Sequence, residues 1–305
     1  FIEFLNGKLD MISGADAINV NEVLDKSGML NKTYASKCYL QKGHYLKIDY
    51  IGLLVDKKIN KNSPLHKKQF RQALNYAIDR ERLVKYFRNG VGMPAIAGFI
   101  PKGFKSFDTN VVKGYRYDPE KVKLLLKEAG YPDGKGFPPV TVFTNKGFSK
   151  TQLAINELQR QLKENLNINV VFENLPLDIK FRLEQKNKGH FFRQGWVADF
   201  PSPENFLNLF YGRYVSLDTN KVYFPNTQRY INPVFDDYFE KGRDAVNKDT
   251  AYKYFMKAEQ ILMDDAPLIV LWYEAAYRLY NNKVKDLYMN PMRYYDLRIA
   301  YVDKN

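Results

Sequence analysis

Cysteine is almost absent from the chain, and histidine nearly so: there is one cysteine and there are three histidines in 305 residues. Cys38 alone cannot form a disulfide within the chain or a multi-cysteine metal site, and inside TYASKCYL it reads as a small buried hydrophobe. His44, His66 and His190 lie 22 and 124 residues apart with no His-x-x-x-His pair, so no metal site is expected from them. No run approaches the roughly 20 apolar residues that cross a bilayer. There is no Gly-x-Ser-x-Gly elbow, and the GVG at 90–92 lacks the Lys-Ser/Thr of a phosphate loop. These absences leave an enzyme reading without catalytic residues and without an implied cofactor.

What is present is the composition of a folded globular protein, 45% hydrophobic, 15% aromatic and 27% charged. At roughly 100–200 residues per domain, about two domains are expected. The net charge is +13. Its lysines and arginines are spread evenly, as in KKINKNSPLHKKQFRQ, and fall mostly on polar helix faces, so a solvated surface is expected and nucleic acid is not an expected partner. The opening words, FIEFLNGKLDMI, read as the middle of a domain, and the chain is expected to be a fragment.

Several elements announce themselves. Ser63-Pro64 sets a cap and a first-turn proline before Phe70, Leu74, Ala77 and Ile78, which recur at helical spacing. Asp79 can cap the next helix, with Gly90 at its end, and Asp118-Pro119 starts another that Gly130 stops. PVTVFTN (139–145), KTQLAINELQRQLKENL (150–166) and INVVFEN (168–174) predict strand, helix and strand, a βαβ unit with a parallel pair. A short helix is expected over 178–188, a strand over 190–200, a helix from Ser202-Pro203 through Phe210, and a long helix over 249–263. The tail alternates β-rich runs with turns. The class is α/β with a mixed sheet and flanking helices.

The segment FFRQGWVADFPSPENFL (191–207) carries the chemistry. In an extended chain Arg193, Gly195, Val197 and Asp199 share one face, and Gln194, Trp196 and Ala198 share the other. Arg193 and Asp199 are at most about 20 Å apart at roughly 3.3 Å per residue. Such a strand could hold an extended zwitterion, with Asp199 on its ammonium, Arg193 on its carboxylate and the strand along its main chain. The alternative is structural: Asp199 capping the turn before Pro201, Arg193 paired on the surface, and Trp196 in the core.

The segment resembles the GW-x-AD-[YF] signature of the family 5 extracellular solute-binding proteins, receptors of oligopeptide and dipeptide ABC importers. The match stands at Gly195, Trp196, Val197, Ala198, Asp199 and Phe200, followed by Pro203, Asn205, Phe206 and Leu207. LNGKLDMI (5–12), FRQALNYAIDRERLV (70–84), GMPAIAGFIP (92–101), YDPEKVKLLLKEAGYPDG (117–134), APLIVLWY (266–273) and VKDLYMNP (284–291) follow the family order. The resemblance implies a type II periplasmic-binding-protein-like lobe and a two-lobed, monomeric, non-enzymatic receptor that closes on its ligand. Residues 61–276 would form the second lobe, with 1–60 and 277–305 returning parts of an incomplete first lobe. It implies Asp199 as the ammonium partner in a buried pair, Arg193 as a carboxylate contact in some members, and Gly195, Trp196, Val197 and Ala198 as the main-chain binding strand. The implied partners are a peptide and a membrane ABC permease. The implied place is periplasmic or cell-surface, with a lipid anchor where the protein is a lipoprotein. A sugar or nickel ligand, or a role in signalling, are the alternatives.

Overall fold

In the computed structural model, which describes all residues except 15–18, 26, 60, 146–148, 187, 219–223, 295 and 304–305, seven strands share one sheet. They are β1 (Met11–Ser13), β2 (Cys38–Leu53), β3 (Met93–Pro94), β4 (Val140–Asn145), β5 (Val170–Leu175), β6 (Phe191–Val197) and β7 (Leu268–Asn281). The order is β1-β7-β2-β6-β4-β5, with β3 also on β7. β4 runs parallel to both β5 and β6, and the other pairs are antiparallel, so the sheet is mixed. The expected βαβ unit is β4, the helix Ser149–Leu166 and β5. β8 (Val284–Lys285) and β9 (Tyr301–Val302) form a separate short ribbon.

Alternation along the strands splits the interior into two cores. Even-numbered residues of β2, such as Leu46, Ile48 and Tyr50, pack with Phe99, Phe206 and Phe210 under the helices Pro233–Arg243 and Lys248–Asp265. Odd-numbered Ile51, Leu53 and Phe191 pack on the opposite side under the helices Lys68–Tyr76, Pro119–Glu128 and Ser149–Leu166. A third, smaller core gathers Phe4, Val23, Cys38, Val91, Tyr277 and Leu279 at the far ends of β2 and β7. Between the large cores and the small one, the β2–β7 register shifts, and residues 45–47 of β2 oppose Glu274 alone. Extra residues on one strand bend and twist a ladder.

Capping chemistry fixes most helix starts. Asp118 accepts from the Lys121 amide at 2.9 Å, with Pro119 in the first turn, and Asp79 accepts from the Arg82 amide at 2.8 Å. Ser63 caps only a 3₁₀ turn, Pro64–His66, and the α-helix begins at Lys68. The expected 178–188 helix spans Leu177–Gln185, and the one after Ser202-Pro203 is a short Glu204–Leu207 helix finished by a 3₁₀ turn. The buried Arg80, 1% exposed, links the turn after Tyr76 to the sheet. Its guanidinium donates to the carbonyls of Val270 (2.8 Å), Asn75 (2.9 Å) and Ile78 (3.2 Å), and burial lowers its pKa to about 10.

Candidate functional site

β6 places the predicted binding residues, and its two edges are unequal. On one edge it pairs with β2 along its full length, Lys47↔Val197 through Leu53↔Phe191. On the other it meets β4 only at Phe191 and Phe192. Beyond Phe192 this second edge has no strand partner among the described residues.

Which amides face the bare edge follows from the antiparallel pattern, in which directly opposed residues alternate between exchanging hydrogen bonds and turning them outward. The Ala198 amide donates to the Leu46 carbonyl at 2.9 Å, and the Leu54 amide to the His190 carbonyl at 2.9 Å. The bonded positions are therefore the even ones: 190, 192, 194, 196 and 198. Gly195 and Val197, both exposed, direct their N–H and C=O groups away from β2, toward the edge that β4 does not reach. An extended chain laid there can complete the ladder, as in strand addition. The fold itself does not require glycine at 195, since a Cβ there would make only ordinary contacts, the nearest with the Ile48 carbonyl at 3.4 Å.

At the end of this edge sits Asp199, exposed, with no cation among the described residues in contact with it. Its position is fixed by Asn205, a residue of the signature whose role only the fold reveals. The buried Asn205 Oδ1 accepts from the Trp196 indole N–H at 2.8 Å and from the Asp199 amide at 3.1 Å, and its Nδ2 donates to Asp199 Oδ2 at 3.4 Å. One amide side chain thus orients both the ring and the carboxylate. Asp199 makes no side-chain cap on the following turn, and Trp196 is half-buried rather than core. The Asp199 carboxylate is exposed, where a ligand's ammonium can reach it.

The two faces of the edge differ. On the Trp196 side lies a cavity of about 490 Å³ lined by Phe181, Trp196, Leu209 and Phe224 with Glu184 and Thr227 at its polar end. The Trp196 and Phe224 rings are 6.2 Å apart. Glu184 accepts from Thr227 at 3.0 Å and from Gln194, and it pairs with the buried Lys180 at 3.2 Å. Burial pushes its carboxyl up, against the pull of Lys180.

The other face carries charges. Arg193, expected to meet a ligand carboxylate, pairs with Asp49, which stands opposite Gly195 on β2. Their side chains are 13% and 5% exposed. Next to them Arg88 grips Glu274 through two bonds of 2.9 and 3.0 Å and stacks 4.1 Å from the Trp272 ring centre. Burial raises the Asp49 carboxyl and Arg193 opposes it, whereas at Glu274 the effect of burial is outweighed by Arg88 and Lys47, and its pKa falls. Cys38 is buried in the third core, and no group of three or more metal-ligating side chains occurs among the described residues.

The mixed sheet with helices on both faces is the fold of solved periplasmic binding proteins. The structure of the Helicobacter pylori periplasmic binding protein DppA in complex with the peptide STSA superposes with a TM-score of 0.73 at 22% identity, over 99% of this chain and 54% of that one. HbpA2 from Haemophilus parasuis gives 0.78 at 18% identity, over 99% of this chain and 55% of that one. The sequence profile of the bacterial extracellular solute-binding proteins, family 5, middle region, matches residues 1–217, and the chain belongs to that family. Among curated relatives, the dipeptide-binding protein DppE of Bacillus subtilis is 24% identical over 309 residues, covering 98% of this chain and 55% of the relative. The chain spans about half the length of the curated relatives it matches.

Proposed function

We propose that this protein is the substrate-binding component of an ABC importer, holding a peptide between two lobes and delivering it to a membrane permease. The observation that carries the proposal is the bare edge at Gly195 and Val197, with Asp199 two residues beyond it. A peptide has at every residue the N–H and C=O that such an edge lacks, and a free amine at one end to meet a carboxylate. The names of relatives support this reading: a dipeptide-binding and an oligopeptide-binding protein of Bacillus subtilis are among them.

In this proposal Gly195–Ala198 supplies main-chain contacts, Trp196 walls one side-chain pocket and Asp199 takes the ammonium, while Arg193 contributes through its pair with Asp49. The protein performs no chemistry on its ligand, acts as a monomer and does not use nucleic acid as a partner. It works outside the cytoplasmic membrane, in the periplasm or held at the cell surface by a lipid anchor. No helix among the described residues is long and apolar enough to cross a membrane.

Residues 61–276 would form the second lobe, with 1–60 and 277–305 belonging to the first. The third core gathers residues of both terminal stretches with Val91, whereas Leu46, Ile48, Tyr50, Ile51 and Leu53 of β2 pack in the two large cores, which favours a boundary nearer residue 45 than 60. The register break between His44 and Ile48 suggests that the passage between lobes lies within β2 itself. Calorimetry with short peptides and their N-acetylated forms tests the function: binding that needs the free amine supports it, and affinity indifferent to acetylation removes the role of Asp199.

A further inference from the structure

We infer that Asp49 stands in the place of a ligand's terminal carboxylate at Arg193, so that this site reads a peptide's amine and main chain but not its carboxyl end. The inference rests on the peptide reading above and adds a specificity to it.

Three observations carry it. The Arg193 side chain lies on the same face of β6 as Gly195 and Val197, beside the edge where an added strand would run, and its guanidinium Nη2 is bonded to Asp49 Oδ1. The pair is enclosed, and taking Arg193 away from Asp49 would leave an uncompensated buried carboxylate, which is strongly unfavourable. The neighbouring guanidinium is also committed, because Arg88 is bonded to Glu274, which takes the Trp272 indole N–H as well at 3.0 Å; Glu274 pushes the Asp49 carboxyl up while Lys47 and Arg88 pull it down. A ligand carboxylate entering here would meet two carboxylates already in place.

Position and chemistry assign the role to Asp49 rather than to Arg193. Asp49 faces Gly195 across the ladder, the position of β6 without a side chain, so no group on β6 stands between its carboxylate and the Arg193 guanidinium. Asp49 is therefore a positioning residue, acting on the ligand only through the cation it occupies. A peptide would extend past Arg193 without being stopped by a terminal contact, and ligands of different lengths, or with a blocked carboxyl end, would be treated alike.

The experiment compares tri- and tetrapeptides as free acids and as C-terminal amides, by calorimetry on the whole protein as it is made in the cell. For the wild type the two forms are expected to agree within about twofold. In Asp49→Asn, which keeps the side-chain shape but frees the guanidinium charge, the free acid should gain about tenfold over the amide. A wild-type preference of tenfold or more for the acid, levelled by Arg193→Gln, would overturn the inference and leave the peptide reading intact. So would an Asp49→Asn protein without any acid preference. Asp49→Ser provides a second neutral variant, and the wild-type comparison needs none. If neither acids nor amides bind, the peptide reading itself fails and this inference fails with it.

Discussion

Glu259 gives a quantitative prediction that involves no ligand. It lies on the helix Lys248–Asp265, is 0% exposed, and accepts the Ile100 amide at 2.7 Å through Oε1, while Oε2 has no hydrogen-bond partner among the described residues. A Cβ at Gly98 would overlap its carboxylate, so the group is tightly enclosed. Burial raises its pKa to about 8, against the amides of Ile100 and Phe99, which lower it. A folded-state pKa above the unfolded value of 4.5 gives a definite sign. The stabilising effect of the bound proton is fully present below pH 4.5 and is lost as pH rises to 8, at about 1.4 kcal/mol per pH unit. At pH 7 the loss is about 3 kcal/mol, or about 5 °C in Tm for a chain of this size. Glu259→Gln is neutral at every pH and should lack this slope, although its unpartnered amide costs about 1–3 kcal/mol throughout. The assay is thermal unfolding of both proteins at pH 5, 6, 7 and 8. The difference between them should move in favour of the variant by several degrees across the series. A difference independent of pH would refute the reasoning and mean that Glu259 is ionised in the fold or hydrated.

Two further substitutions test the site and its scaffold. Asn205→Ala should weaken ligand binding about tenfold through loss of the hydrogen bonds that orient Trp196 and Asp199, with little change in Tm, as read by calorimetry and unfolding in parallel. Arg80→Ala should destabilise the fold by about 3–5 kcal/mol, since several buried carbonyls lose their donor together, and Arg80→Lys should recover only part of this in denaturant titrations.

How much of this was legible in the sequence depended on how local the signal was. Caps followed by proline located the helix after Asp118, and periodicity located the βαβ unit, because both patterns are complete within a few residues. The helix Pro233–Arg243 was missed although Asn232-Pro233 carries the same signal, with Asn232 accepting from the Val234 amide at 2.9 Å. β2 was not foreseen as a 16-residue central strand. Its burial changes along its length from alternating to continuous as it passes between β6 and β7, so no single period describes it. At the site, the motif located Gly195 to Asp199, of which Gly195, Trp196 and Val197 lie on β6 and Ala198 and Asp199 just past its end. It could not give Asp49, which is 144 residues from Arg193 and reaches it only through the register of two strands. The bare edge was equally hidden, since it arises because β4 stops pairing at Phe192.

The central claim is that a peptide's amine meets Asp199 at the end of the open edge. The most direct measurement is a calorimetric cycle combining wild type and Asp199→Asn with a tetrapeptide and its N-acetyl form. Acetylation should weaken binding to the wild type by about ten- to a hundredfold, as expected for loss of a charge-assisted hydrogen bond, and should scarcely change the already weak binding to the variant. Equal losses from acetylation in both proteins, or none in either, would contradict the account.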